Sequence, residues 1–371
     1  MACILAQSRL PGLDGLRAIG VLGVIIVHAG FAGGLPEDFA PTAFFVLSGF
    51  LITRILVRAH EKTGAVSLGR FYLGRTLRIF PAYYAFVLLS YFLDARAGQR
   101  WSHTFLADAL TYTINYFNAF HHHPPTSLAH AWSLAVEEQF YLLWPLAFVV
   151  LARGGRRALI AGVGLAALAA TAWRSWLFLS VHVDVAYVYN AFDTRFDNLA
   201  VGCLLALSID CKSVTAVAEW CAKRSWFSMV TLVLLLTSRA VLGRAYHFSI
   251  GLTIDALLIA ILIVQVLQLS RTRLWCWLEW PAVRYLGAIS YPMYLYHAWG
   301  ASVGRRFPGD SRLLDFLAGV VATVILGSGS YYFIERPFLR FKPSRILNAR
   351  ENALTASGPQ PSDGRLASVS S

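Results

Sequence analysis

The sequence has few charged residues for a chain of its length. Asp, Glu, Lys and Arg together make up 14% of its 371 residues, whereas hydrophobic residues make up 57%. A typical soluble domain is about 25% charged, and a soluble chain this apolar could not cover its surface with polar groups. The composition therefore excludes a soluble globular protein, a disordered chain, a collagen and a small disulfide-stapled domain. It predicts a polytopic membrane protein.

Cysteine is also scarce, and its spacing does not suit a metal. The five cysteines are Cys3, Cys203, Cys211, Cys221 and Cys276, and they form neither a CxxC pair nor a zinc-binding pattern. We expect them to be free thiols in the membrane or on its cytoplasmic side. No A-x-A-like cleavage site follows the first apolar run, so this run is predicted to be a transmembrane helix rather than a removable signal peptide.

Acidic residues are fewer than basic ones. The chain has 32 Lys and Arg against 20 Asp and Glu, a formal net charge of +12. Cytoplasmic loops of membrane proteins collect Lys and Arg, so the excess indicates membrane topology and predicts no nucleic-acid partner. Three consecutive histidines at 121–123 cannot all face one metal ion, and we interpret them as a solvated loop. No metal site is predicted.

Long apolar runs recur along the chain as far as residue 340. Runs of roughly 17 to 22 residues can cross a hydrocarbon core of about 30 Å. The fold class predicted from them is all-α: a polytopic transmembrane helix bundle of about ten helices. These helices are expected near residues 13–31, 41–59, 79–94, 134–152, 157–175, 196–210, 226–243, 248–269, 283–303 and 313–334.

The distribution of Lys and Arg sets the predicted topology. With the N-terminus inside, the inner segments hold more than twice as many Lys and Arg residues as the outer segments, so both termini are predicted to be cytoplasmic. Residues 1–342 then form one membrane-embedded domain, and the polar residues 343–371 form a disordered cytoplasmic tail. Residues 103–120 carry several polar side chains and are predicted to form an interfacial or re-entrant segment.

Two ionisable residues interrupt the first predicted helix. Arg17 and His28 are eleven positions apart, which is about 20° beyond three full turns, so they share one face and lie about 16 Å apart along the axis. A charged side chain at the centre of a membrane helix costs about 2.5–3.5 kcal/mol, which makes such residues functional candidates. Arg17 is expected near the cytoplasmic end and His28 toward the outer end. The alternative is a snorkelling arginine and a packed histidine.

An arginine cluster follows the second predicted helix. Arg70, Arg75 and Arg78 lie within one short segment, and the last two share a helical face. Guanidinium groups at the cytoplasmic mouth suit a polyanionic ligand such as a nucleotide phosphate. Anionic lipid headgroups, or the charge bias itself, account for the cluster about as well.

Further polar and aromatic residues gather near the predicted outer ends of later helices. They are Trp132, Glu137 and Glu138 in the fourth helix, Arg195 and Asp197 in the sixth, and His297 in the ninth. One glutamate could cap its helix while the other faces the bundle, and Trp132 could stack on a sugar or anchor in the interface. Such convergence from separate stretches is typical of a functional site.

Together these segments resemble the integral membrane acyltransferase family 3, the bacterial O-acyltransferases of surface and signalling glycans. The resemblance covers nearly the whole chain up to about residue 340, and the motifs occur in family order. The matching segments are 13–18 with His28, FFVLSGFLIT (44–53), RFYLGRTLRIFP (70–81), WSLAVEEQFY (132–141), RFDNLAVG (195–202), ISYPMYLYH (289–297) and IERP (334–337).

The resemblance implies an enzyme of the bacterial inner membrane that moves an acyl group from cytoplasmic acyl-CoA, usually acetyl-CoA, to a carbohydrate hydroxyl. The arginines at 17, 70, 75 and 78 would then hold CoA, and His28 would be the general base, oriented by Glu137 or Glu138. The remaining outer residues would bind the acceptor. Some members carry an extracytoplasmic hydrolase-like domain. Without one in this chain, we expect direct transfer or transfer to a separate extracytoplasmic acyl acceptor protein.

The competing interpretation is a transporter or flippase for the same glycans or their precursors. Intramembrane His, Glu and Arg also serve proton relays. The sequence disfavours this alternative, because it shows neither an inverted repeat nor paired helices broken by Gly or Pro.

Overall fold

The computed structural model describes residues 9–30, 38–270, 272–306 and 311–342. This part of the chain is helical and contains no β-strand, as the composition and the apolar runs predict. The predicted disordered tail, residues 343–371, lies outside the described residues.

The helices follow one another with short connections. In chain order they are α1 (Leu13–His28), α2 (Phe39–Thr63), α3 (Leu68–Arg96), α4 (His103–Leu110), α5 (Ile114–His121), α6 (Trp132–Ala152), α7 (Gly155–Trp176), α8 (Val185–Asn190), α9 (Phe192–Ser208), α10 (Lys212–Lys223), α11 (Phe227–Tyr246), α12 (Leu252–Leu269), α13 (Pro281–Ala288), α14 (Ser290–Gly304), α15 (Arg312–Ser330) and α16 (Arg336–Phe338).

Several of these helices are long and apolar enough to cross a membrane. Among the described residues, six helical stretches meet that requirement, and a seventh arises if the bent pair Val185–Ser208 and Lys212–Cys221 counts as one span. The helices α1 and α14, which carry 16 and 15 residues, are shorter than the 18 residues required. The predicted number of about ten crossings and the predicted side of both termini therefore stay predictions.

One long apolar stretch, residues 227–269, doubles back on itself. The backbone leaves helical geometry at Gly243, which has a φ of +78°. Beyond this kink α12 packs along α11: the Gln265 amide donates to the Thr231 hydroxyl at 3.0 Å, and Ser238 donates to Asp255 at 3.4 Å. Since the two contacts pair early with late residues, α11 and α12 are antiparallel.

The polar segment 103–120 does not form one long helix. It forms α4 and α5, each of eight residues, with a break at Tyr112, which has a φ of +56°. Eight residues extend about 12 Å as a helix, well short of a hydrocarbon core. Neither helix spans a membrane alone, in agreement with an interfacial or re-entrant segment.

Close packing of α2 against α9 fixes the centre of the bundle. The Leu199 carbonyl of α9 lies where a Cβ of Gly49 would stand, and the Val46 carbonyl of α2 lies where a Cβ of Gly202 would stand. Small residues let two backbones approach this closely in a membrane bundle. The contact brings the FFVLSGFLIT segment of α2 beside α9.

The helices α1 and α14 lie side by side and run in the same direction. At one end the backbone of Asp14 lies against Gly287, just before α14, and at the other end the ring of His28 contacts the ring of His297. The pair therefore has an arginine end, marked by Arg17, and a histidine end. The helix α15 then packs back along α14.

Candidate active site

A pocket at the arginine end collects charged side chains from three helices. Arg17 of α1, Arg75 and Arg78 of α3, and Glu137 and Glu138 of α6 all line it. The pocket contains about 720 Å³ of empty space, including the part open to its surroundings. We call it the arginine pocket.

Hydrogen bonds hold the acidic wall of the arginine pocket in place. Glu137 and Tyr141 are four residues apart on α6 and so share a face. The Tyr141 hydroxyl donates to Glu137 Oε2 at 2.8 Å and lies 2.9 Å from the Ser48 hydroxyl of α2. The Arg75 guanidinium lies 4.8 Å above the centre of the Tyr141 ring, a favourable cation–π distance. Ser48 of the FFVLSGFLIT segment in α2 thus supports the acidic wall.

Arg17 is only loosely paired within the described residues. Its Nη1 lies 3.8 Å from Asp14 Oδ1, whereas Arg9 binds the same carboxylate at 2.7 Å. The guanidinium of Arg17 therefore remains available to a ligand in the pocket. Guanidinium groups bind phosphate and carboxylate oxygens through paired N–H donors, so the pocket is suited to a polyanion.

Three imidazoles meet at the histidine end. The ring centres of His28 and His297 are 4.7 Å apart, and those of His130 and His297 are 4.4 Å apart. His28 is exposed, whereas the other two are buried. Within the described part of the chain, Nε2 of His130 and Nε2 of His297 have no hydrogen-bond partner. We call these three residues the histidine cluster.

The backbone sets the orientation of His28. Its Nδ1 lies 2.9 Å from the Val24 carbonyl oxygen, one helical turn earlier. A carbonyl can only accept, so Nδ1 carries the proton, and Nε2 of the neutral ring is left as a proton acceptor. Among the described residues no group donates to Nε2, and an exposed imidazole that can accept a proton is what a general base requires.

Tyr294 connects the arginine pocket to the histidine cluster. Its side chain lines the pocket, and its hydroxyl lies 2.6 Å from the Ser133 hydroxyl and donates to the His130 carbonyl at 2.9 Å. Its own carbonyl lies 2.6 Å from His297 Nδ1. One residue of α14 therefore contacts both parts, and they form one site that follows the shared face of α1 from Arg17 to His28.

Comparison with known proteins identifies the family of the chain. The family model described as an acyltransferase domain matches residues 10–332. The chain belongs to this acyltransferase family. Its family and its apolar helices together identify a multi-pass membrane protein.

Relatives of known name point in the same direction. The chain is 31% identical over 356 residues to YrhL of Bacillus subtilis (strain 168), provisionally named a peptidoglycan O-acetyltransferase; the match covers 88% of this chain and 54% of the relative. It is 28% identical over 353 residues to the peptidoglycan O-acetyltransferase OatA of Listeria monocytogenes, covering 90% of this chain and 56% of the relative. A provisionally named O-acetyltransferase of Staphylococcus aureus (strain COL) is 28% identical over 375 residues, covering 91% and 59%.

The chain thus spans between half and three fifths of the length of these relatives. No solved structure matches it.

Two residues that are expected to contact the donor or the acceptor do not lie in the described site. Arg70 is exposed near the start of α3 and does not line the arginine pocket, because five residues of helix turn it away from Arg75. Trp132 is 4% exposed, and its ring packs against Phe45 and Tyr189. Since protein rings cover it, the structure does not present Trp132 as a surface on which a sugar could stack.

Arg195 and Asp197, which are expected to bind the acceptor, both lie buried inside the bundle. Asp197 accepts from Arg174 Nη1 at 2.7 Å, and both side chains are fully buried. Arg195 is fully buried as well, and its Nη2 donates to the Thr42 hydroxyl at 3.0 Å. Both residues therefore connect helices inside the bundle, and a polar acceptor would not reach them from outside.

The predicted contact between His28 and a glutamate is not found. Glu137 and Glu138 line the arginine pocket, and the Val24 carbonyl takes the orienting role that we expected of one of them. His297, in contrast, lies where the sequence placed it, beside His28. The sequence reasoning missed His130, although it stands two residues before Trp132 at the start of the WSLAVEEQFY segment.

Proposed function

We propose that this chain transfers an acetyl group from acetyl-CoA to a hydroxyl group of a carbohydrate. The observation that carries the proposal is the connection of a pocket lined by three arginines to an exposed imidazole along one face of α1, with Tyr294 between them. The names of the relatives support O-acetylation as the reaction, and two of those names give peptidoglycan as the acceptor. The acceptor of this chain is proposed at the level of a carbohydrate.

The arginine pocket fits the donor, which is a co-substrate. Three guanidinium groups, those of Arg17, Arg75 and Arg78, line the same pocket. The nucleotide end of CoA carries several phosphate charges, and each charge-assisted hydrogen bond to them contributes about 1.5–3 kcal/mol. The pantetheine arm would then extend along the face of α1, over the roughly 16 Å between Arg17 and His28.

His28 would act as the general base of the transfer. Its Nε2 accepts the proton of the carbohydrate hydroxyl while the oxygen attacks the thioester carbonyl. The new C–O ester bond forms, the C–S bond breaks, and the thiolate of CoA leaves and takes up a proton. The Val24 carbonyl holds Nδ1–H throughout, so the same nitrogen stays the acceptor. His28 is therefore the residue on which the chemistry depends most directly.

The topology completes the proposal. We place about ten helices across the bacterial inner membrane with both termini in the cytoplasm, as the Lys and Arg distribution predicts. The arginine end of α1 then faces the cytoplasmic pool of acetyl-CoA. The histidine end faces the extracytoplasmic carbohydrate, so one chain connects a donor on one side with an acceptor on the other.

Labelled acetyl-CoA tests the proposal directly. The full chain, purified in detergent or in lipid nanodiscs, is incubated with [14C]acetyl-CoA and candidate glycans, and alkali-labile label on the glycan is counted. We expect ester formation with the parent protein and a loss of about 10²–10⁴ in rate with His28→Gln. In sealed vesicles, movement of an unmodified glycan without ester formation would instead identify a transporter and refute the acyltransferase proposal.

A further inference from the structure

A second cavity opens beyond the histidine end, between α1, α14 and α15. It contains about 930 Å³ of empty space, including the part open to its surroundings. Apolar and small residues form its inner wall, and Arg305, Arg312 and Asp315 supply its charged lining. None of these residues belongs to the arginine pocket or to the histidine cluster. We call it the helix-end cavity.

The helix-end cavity lies next to the proposed base. On α1 the lining residues Ile25 and Ala29 flank His28, and positions three apart on a helix are neighbours on its surface. On α14 the lining residue Ala301 follows His297 by four residues, a rise of about 6 Å. The cavity is therefore level with His28 on α1 and begins about one helical turn beyond His297 on α14, and the rings of these two histidines contact each other.

The charged side chains that line the cavity form no ion pairs with other described residues. Among the described residues neither Arg312 nor Asp315 forms an ion pair, and Arg305 only donates to the Ser302 hydroxyl, at 3.0 Å. Arg305 and Arg312 lie on the predicted outer side of the membrane, where the positive-inside bias makes arginine uncommon. Among the described lining residues, two guanidinium groups and one carboxylate leave an excess of one positive charge.

We propose that the helix-end cavity binds the carbohydrate acceptor and selects one that carries an anionic group, through Arg305 and Arg312. This inference rests on the proposed function and names its substrate class. The two guanidinium groups bind a carboxylate or phosphate through charge-assisted hydrogen bonds. Asp315 accepts hydrogen bonds from sugar hydroxyls, and the hydroxyl to be acetylated extends inward to Nε2 of His28. A carboxylated sugar and a phosphorylated sugar share this chemistry.

Direct binding measurements test the inference apart from catalysis. The probes are an N-acetylglucosamine–N-acetylmuramic acid tetrasaccharide with its carboxylates, the same compound with the carboxyls reduced to alcohols, and a neutral tetrasaccharide bearing a terminal phosphate. Their Kd values are measured by calorimetry on the full chain, for the parent and for Arg305→Gln with Arg312→Gln. Arg306→Gln is the matched control, because Arg306 is an exposed neighbour that does not line the cavity.

The parent should bind at least one anionic probe more tightly than the carboxyl-reduced compound. The double variant should weaken that binding by about tenfold to a hundredfold, the size of a lost charge-assisted contact. It should leave binding of the reduced compound and of acetyl-CoA unchanged, which also shows that the variant is folded. Preference for the carboxylate probe or for the phosphate probe identifies the source of the charge.

Three results would overturn the inference. They are equal loss for the charged and the reduced compounds, an equal effect of Arg306→Gln, and failure of the parent to bind any of the three probes. None of these concerns whether acetyl transfer occurs. If instead the assay with labelled acetyl-CoA shows no ester formation while anionic probes still bind through Arg305 and Arg312, the proposed reaction is wrong but the proposed binding site is supported.

Discussion

Replacement of His28 by glutamine is the most direct test of the proposed chemistry. The imidazole donates from Nδ1 to the Val24 carbonyl at 2.9 Å, and within the described part of the chain Nε2 forms no hydrogen bond. A glutamine side chain keeps similar length and hydrogen-bonding capacity, but its amide oxygen cannot take up a proton at physiological pH. His28→Gln therefore removes proton acceptance while it changes the shape of the site little.

The expected loss follows from the role of a general base. Such a group contributes about 10² to 10⁴ in rate, which corresponds to roughly 3–5 kcal/mol at 1.36 kcal/mol per tenfold. The arginine pocket lies toward the other end of α1, about 16 Å away along the axis. The substitution should therefore lower kcat by two to four orders of magnitude and leave the Kd for acetyl-CoA within about twofold.

Single-turnover transfer of [14C]acetate and equilibrium binding of acetyl-CoA, measured on the same preparation, separate these two effects. His60→Gln is the control, because His60 packs against Phe148 and lines neither the arginine pocket nor the histidine cluster. If His28→Gln keeps more than about a tenth of the parental kcat, the loss in rate is far smaller than the loss expected for a general base. His28 would then be structural. His297, whose ring is in contact with it, would then be the next residue to test as the base.

Three further predictions concern the donor, the packing and the topology. Arg75→Ala combined with Arg78→Ala should raise the KM for acetyl-CoA about tenfold or more, with little effect on acetyl-pantetheine, which lacks the nucleotide. Gly49→Ala places a Cβ against a carbonyl of α9 and should lower stability by about 1–3 kcal/mol, read as a lower thermal midpoint, whereas Gly23→Ala meets nothing within 4 Å and should not. A topology reporter fused near residue 120 should show that this position lies on the extracytoplasmic side of the membrane.

Each of these predictions has a contradictory outcome. Equal loss with both donors would assign Arg75 and Arg78 to lipid contact or assembly, and an equal effect of Arg70→Ala would remove the distinction between pocket and surface. A midpoint for Gly49→Ala equal to that of the Gly23 control would mean that α2 and α9 separate at little cost. A cytoplasmic signal near residue 120 would overturn the placement of His28 on the outer side.

Local periodicity predicted much of the site but not its long-range pairings. Spacing along one helix was sufficient to put Arg17 and His28 on a common face, because a helix has a fixed rise and twist. The same reasoning puts Arg75 beside Arg78. The structure brings both arginines to the pocket that Arg17 lines. Such features depend on one helix at a time, and a sequence specifies them well.

Contacts between helices that are distant in the sequence could not be predicted from spacing along a single helix. Asp197 was expected to face the acceptor, but its partner Arg174 lies on another helix, and nothing in the spacing of either segment identifies the pair. The burial of Trp132 depends similarly on rings contributed by α2 and by α8. The same residue types occur in exposed ligand contacts and in buried contacts between helices, so only the packing of the helices distinguishes the two roles.

The buried ion pair between Arg174 and Asp197 has a consequence for how the chain enters the membrane. Each partner alone would bring an uncompensated charge into the apolar phase, at about 2.5–3.5 kcal/mol on insertion scales. Together, 2.7 Å apart and fully enclosed, they present no net charge to lipid. The two helices α7 and α9 are thus better inserted as a preassembled hairpin than one after the other. During synthesis we therefore expect α7 and α9 to enter the apolar phase together, with their charges already paired.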